Sequence, residues 1–70
     1  MITIVYFYKR KSDHKWFKDE TYFYDVKKAL RFMYKMDAKG RESFIDSYSC
    51  DDLEEQEYIN QRYTLGKWIK

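Results

Sequence analysis

The stretch Asp25-Val26-Lys27-Lys28-Ala29-Leu30-Arg31-Phe32-Met33-Tyr34-Lys35-Met36-Asp37-Ala38-Lys39-Gly40 decides the fold. Val26, Ala29, Leu30, Met33 and either Met36 or Asp37 recur at spacings of three and four, which lines them along one face of a helix. Asp25 stands where a carboxylate can accept one of the first free helical N–H groups, and Gly40 stands where a helix-ending glycine belongs. The spacing therefore predicts an amphipathic helix from Val26 to about Ala38. Its apolar stripe needs a flat apolar partner.

That partner is sought upstream and downstream. Ile2 to Lys9 is rich in β-branched and aromatic residues, which suit a pleated surface. Arg10-Lys11-Ser12-Asp13-His14 is polar and turn-forming and should close a hairpin. Lys15 to Tyr24 then resumes with a period of two. Beyond the helix, Arg41 to Ser49 alternates again as a third strand. A second helix is expected from about Asp51 to Tyr63. Ser49-Cys50-Asp51-Asp52 offers one capping register for it, and Asp51 with Glu54 offers another. Gly66 breaks the pattern, and Lys67-Trp68-Ile69-Lys70 reads as a tail that docks back or adds a short strand.

The order is β-β-α-β-α, an α+β fold. A right-handed crossover from the second strand to the third places the first strand in the middle, giving a three-stranded antiparallel sheet of order 2-1-3. One helix covers one face, with the second helix at the C-terminal end. Alternation then sorts the side chains. Odd positions Val5, Phe7, Phe17, Phe23 and Ile45 lack hydroxyls and are expected to face the first helix. Even positions Tyr6, Tyr8, Trp16, Lys18, Tyr22, Tyr24 and Tyr48 carry polar tips and are expected on the opposite face. Asp19 and Thr21 interrupt the odd set, so a bulge or a frayed edge is expected near them. So many aromatics cannot all stand bare on a small domain, so the second helix or the tail is expected to cover part of the even face.

Seventy residues make one domain, residues 1–70, with a core too small to support a deep substrate cavity as well. The formal net charge is only +2, but it is unevenly spread. Residues 1–40 carry a local +5 and residues 41–70 a local −3, so the molecule should have a basic side and an acidic side. A lone cysteine leaves no intramolecular disulfide. The opening apolar run precedes its basic cluster, the reverse of a secretory signal, and no run is long enough to span a membrane. These features suggest a cytoplasmic protein.

Fifteen aromatics, eight of them tyrosine, are the compositional extreme. Tyrosine and tryptophan pair an apolar body with a polar tip, which suits surfaces that are wet in one state and dry in another. The candidate binding residues are Tyr6, Tyr8, Lys9, Arg10, Lys11, Lys15, Trp16, Lys18, Tyr22 and Tyr24. They fit a surface for a protein partner or a second copy of the chain. They also fit single-stranded nucleic acid, with aromatics stacking on bases and Lys9, Arg10, Lys11 and Lys15 on phosphates. No RNA-recognition signature accompanies them.

Other constellations carry less. The acids from Asp51 to Glu57 lack calcium-loop spacing and suit a solvated helix start. Cys50 lies beside two acids that oppose a thiolate, and His14 belongs to the turn. One histidine and one cysteine make neither a zinc site nor a catalytic pair. No catalytic residue, metal, cofactor or small-molecule substrate is assigned. In size and composition, rich in Lys, Tyr, Phe, Asp and Glu and without proline, the chain resembles small accessory proteins of phages and mobile elements in low-GC Gram-positive bacteria. That resemblance implies a non-enzymatic modulator and assigns no residue a role.

Overall fold

In the computed structural model, which describes residues 1–64, three strands pair in the order β2-β1-β3. The elements are β1 (Ile2–Lys9), β2 (Trp16–Phe23), α1 (Val26–Ala38), a single 3₁₀ turn over Gly40–Glu42, β3 (Ser43–Cys50) and α2 (Leu53–Arg62). β1 is central and antiparallel to both neighbours. The expected α+β topology is therefore present. The expected C-terminal tail lies beyond the described residues.

Local chemistry sets the boundaries. Asp25 caps α1, its carboxylate accepting the Lys27 N–H at 2.9 Å. Gly40 takes φ +64° just past the helix, the left-handed conformation that glycine adopts without strain. The 3₁₀ turn that follows delays β3 to Ser43, two residues later than the alternation predicts. α2 is capped by Asp52, which accepts the Glu54 N–H at 3.0 Å, so neither Ser49 nor Asp51 is the cap. The Gln56 side chain reaches back to accept the Cys50 N–H at 2.9 Å.

The hairpin between β1 and β2 closes through Arg10 and Lys15, whose backbones bond at 2.9 Å. Asp13 holds this loop from within. It accepts the Lys15 N–H at 3.1 Å and pairs with the Arg10 guanidinium, which keeps its carboxyl below the ordinary aspartate range. His14 adopts φ 59° in this turn.

Both helices pack on one face of the sheet. Ile2, Ile4, Ala29, Leu30, Met33, Met36, Ile45, Ile59 and Tyr63 form the core, flanked by half-buried Tyr6, Phe23, Val26, Phe32 and Tyr48. Met36, not Asp37, completes the buried stripe of α1. The Ser43 hydroxyl, also buried, donates to the Met36 carbonyl at 2.7 Å and ties the start of β3 to α1. The Tyr48 hydroxyl donates to Asn60 Oδ1 at 2.6 Å, so α2 sits on the same side as α1.

This arrangement corrects the expected faces. Ile2 and Ile4, even positions, are fully buried beneath α1, which turns Tyr6 and Tyr8 toward the helices and Val5 and Phe7 away. Strand β1 offers apolar residues in both phases, so alternation alone could not choose. Two isoleucines without polar tips claim the driest positions. In β2 the odd set does face the helices, because Phe23 lies opposite Ile2 and Phe17 opposite Tyr8. Tyr48 faces α2, opposite Ile4, although Ile45 faces the core too.

The two parities coexist in β3 because the register shifts by one residue between Val5 and Tyr6. The bulge thus lies in the β1–β3 pairing near Asp46, not near Asp19 and Thr21, where the β1–β2 register runs unbroken. Asp19 is accommodated instead by accepting the Tyr6 hydroxyl at 3.4 Å.

The phase of β1 is directly testable. Ile4→Ala should lower unfolding stability by about 2–5 kcal/mol, whereas Val5→Ala should cost about 1 kcal/mol or less. Urea denaturation of the two variants reads the difference, and the reverse ranking would contradict the face assignment.

Candidate interaction surface

The face away from the helices is built from alternate residues of three strands. β1 contributes Thr3, Val5, Phe7 and Lys9. Their partners in β2 are Tyr22, Glu20, Lys18 and Trp16, respectively. In β3, Phe44 lies opposite Phe7 and their rings stack at 5.0 Å. Trp16 leans across to Phe44 at 5.6 Å between ring centroids. The Lys18 ammonium lies 5.8 Å above the Phe7 ring, within reach of a cation–π contact. The Tyr22 hydroxyl donates to Glu20 at 2.8 Å, which raises the phenol's pKa.

Trp16 is 45% exposed and Tyr22 is 53% exposed, so the β2 part of this face reaches solvent. Among the described residues, neither helix covers it. Of the second helix and the tail, either of which was expected to cover part of this face, α2 lies on the other face, where it shields Tyr48, and the tail lies outside the described residues.

The ten candidate residues therefore divide. Trp16, Lys18 and Tyr22 share the helix-free face, and Lys9 belongs to it at the hairpin end. Tyr6 turns inward onto Phe32, with ring centroids 5.2 Å apart and edge to face. Burial and the nearby Asp19 raise its pKa. Tyr8 also takes the helix side, stacked against Phe17 at 5.8 Å. Arg10 is held by Asp13 and lies 4.5 Å from the Phe17 ring centroid. Lys11 and Lys15 are exposed in the hairpin, and Tyr24, 82% exposed, lies just beyond β2. The sequence reading missed Val5, Phe7, Glu20 and Phe44 as members of the surface. Glu20 and Phe44 were visible as even positions of β2 and β3, and correct phasing of β1 would have added Val5 and Phe7.

A shallow hollow of about 320 Å³ lies at the hairpin end, lined by Tyr8, Lys9, Lys11, Lys39 and Glu42. Three lysines against one glutamate make it locally basic. The α2 start, with Asp51, Asp52, Glu54 and Glu55, supplies the acidic pole foreseen from the sequence. No group of three or more His, Cys, Asp and Glu among the described residues stands close enough to hold a metal ion. Burial pushes the half-buried Cys50 thiol up, and Glu55 adds to the shift, so the thiol is held protonated. No helix among the described residues is long and apolar enough to cross a membrane.

Behind the sheet, the Tyr63 hydroxyl donates to Asp37 Oδ1 at 2.8 Å, while Asp37 Oδ2 is buried with no partner among the described residues. Burial first, and then the Asp37 hydrogen bond, pushes the Tyr63 phenol strongly up. Comparison with known protein families, with curated proteins and with solved structures found no match to this chain.

Tyr63 gives the fold an alkaline limit. Below pH 10, the ordinary tyrosine value, folded and unfolded chains both keep this proton and the stabilisation is whole. Above it the unfolded chain ionises while buried Tyr63 does not, so stability falls as pH rises. Tyr63→Phe should flatten that alkaline decline. It should also cost about 1–3 kcal/mol at neutral pH, because the part-buried Asp37 Oδ1 loses its donor. Thermal unfolding followed from pH 7 to 11 measures both effects, and an unchanged alkaline slope would contradict the assignment.

Proposed function

We propose that this chain is a small non-enzymatic protein-interaction module that docks through the helix-free sheet face. One observation carries the reading: exposed Trp16 and Tyr22 flank a Lys18–Glu20 pair on the same face of β2. Aromatic anchors around fixed charges of both signs suit a protein surface, where anchors supply contact area and charges set orientation. A strand of phosphates would meet Glu20 as a repulsive group. The compositional resemblance to small phage and mobile-element accessory proteins points the same way, to a modulator of another protein. A cytoplasmic setting fits the single cysteine.

A photo-crosslinking side chain at position 22 tests this reading in a native lysate, with position 31 on the exposed side of α1 as control. The expected products are protein adducts from position 22 and not from position 31, whether to the same chain or to another. Adducts to nucleic acid alone, or no adducts, would overturn the reading.

The lysine-lined hollow beside Tyr8 favours one alternative, binding of single-stranded nucleic acid at the hairpin end. If Lys9, Lys11 and Lys39 each neutralise a phosphate, the logarithm of affinity should fall with the logarithm of salt concentration at a slope of about −2. Fluorescence anisotropy of a labelled oligonucleotide measures that slope, and salt-independent or absent binding would remove the alternative.

A further inference from the structure

The helix-free face is chemically self-complementary. Along β2 it reads Trp16, Lys18, Glu20, Tyr22: aromatic, cation, anion, aromatic. Beside it in β1 stand Lys9, Phe7, Val5 and Thr3, with Phe7 next to Lys18 and Val5 next to Glu20. A two-fold axis lying across the strands, between the Lys18–Phe7 row and the Glu20–Val5 row, reverses the strand direction and keeps each strand over its own copy. Under that operation Lys18 meets Glu20 of the second copy, Trp16 meets Tyr22, and Phe7 meets Val5. An axis along the strands would instead set Lys18 against Lys18 and Glu20 against Glu20 if it ran over β2, and over β1 it would set Lys18 against Phe44 and Glu20 against Ser47, with no charge paired.

We propose that the partner of this face is a second copy of the chain, stacked face to face with its strands reversed, with two symmetry-related Lys18–Glu20 pairs at the centre. This rests on the interaction-module reading above and names its partner. A closed two-fold contact is isologous, so each favourable pairing occurs twice. The stacking matches the aligned class of sheet packing, in which strand directions differ by about 30° and inner side chains interdigitate.

The molecular poles agree with the same operation. Reversal sets the basic hairpin end, with Lys9, Lys11 and Lys15, over the acidic end of the partner, near the start of α2. Long-range attraction then orients the copies before contact. Eight-residue strands at the usual rise and spacing give a face of roughly 27 by 14 Å. This is smaller than the roughly 800 Å² per partner of a standard interface, which places the contact among weak, transient associations.

Charge exchange across the axis provides the test. Sedimentation equilibrium of the full chain, from about 10 μM to about 1 mM, should show a monomer–dimer equilibrium. Lys18→Glu alone creates two facing glutamate pairs, and Glu20→Lys alone two facing lysine pairs, so each should weaken dimerisation about tenfold or more. An equimolar mixture of the two single variants should recover a heterodimer, and the double variant K18E/E20K should recover the homodimer at unchanged net charge. Recovery would show that the single variants had not simply misfolded.

A dimer indifferent to either single variant, or one not restored by the exchange, would overturn the reversed stacking. A strictly monomeric chain would overturn self-association. In that event, continued crosslinking from position 22 to a different protein would leave the interaction-module reading standing, and loss of that crosslinking would remove both.

Discussion

Ile2 and Ile4 are fully buried beneath α1, and the rest of the molecule is arranged around that burial. β1 is paired on both sides, so its phase is transmitted through the ladders to β2 and β3 at once. A slip of one residue would carry Val5 and Phe7 inward and expose both isoleucines, and the cost is set by the apolar area returned to water. The same two residues place Trp16, Lys18, Glu20 and Tyr22 on the opposite side, because cross-strand partners share a face. The candidate surface is thus a consequence of where the core lies.

Much of this architecture was legible from local chemistry. The stripe from Val26 to Met33, the Asp25 cap and Gly40 each act within a turn of helix, so the sequence records them without reference to the rest of the fold. The strand order followed from the number of elements and the crossover between parallel outer strands. The phase of β1 was not legible from hydroxyl content, because Tyr6 and Val5 are both acceptable in half-buried positions. Only the contrast between Ile2 with Ile4 on one side and Val5 on the other carried the signal. In β3 the bulge near Asp46 changes parity midway, so Ile45 and Tyr48 share a face that strict alternation separates. A one-residue insertion into a ladder is a tertiary event. The alternation in Arg41 to Ser49 holds no mark of it.

The tyrosine excess has two physical uses in this molecule. Tyr63, Tyr48 and Tyr34 serve the helix side, where their hydroxyls donate to Asp37, to Asn60 and to the Arg62 carbonyl. The Tyr63 and Tyr48 rings add apolar area to a core built from few aliphatic residues, the exposed Tyr34 ring lies against Tyr63, and each hydroxyl finds an acceptor. Tyr22, with Trp16, instead stands on the solvent side. An aromatic count cannot distinguish these uses, since a small core short of leucine and an adhesive surface call for the same residue type.

The sheet edges bear on how such a surface can be used. Outer strands with free N–H and C=O groups invite pairing with another sheet, and charged residues, inward-pointing charge and bulges discourage it. β2 carries Lys18, Asp19 and Glu20 in succession, with Asp19 turned to the helix side beside Tyr6. β3 carries its register shift near Asp46. Both edges thus have features that oppose strand addition, while the face between them presents exposed aromatics. Of the two ways a small sheet can associate, edge to edge or face to face, this sequence resists the first and leaves the second open.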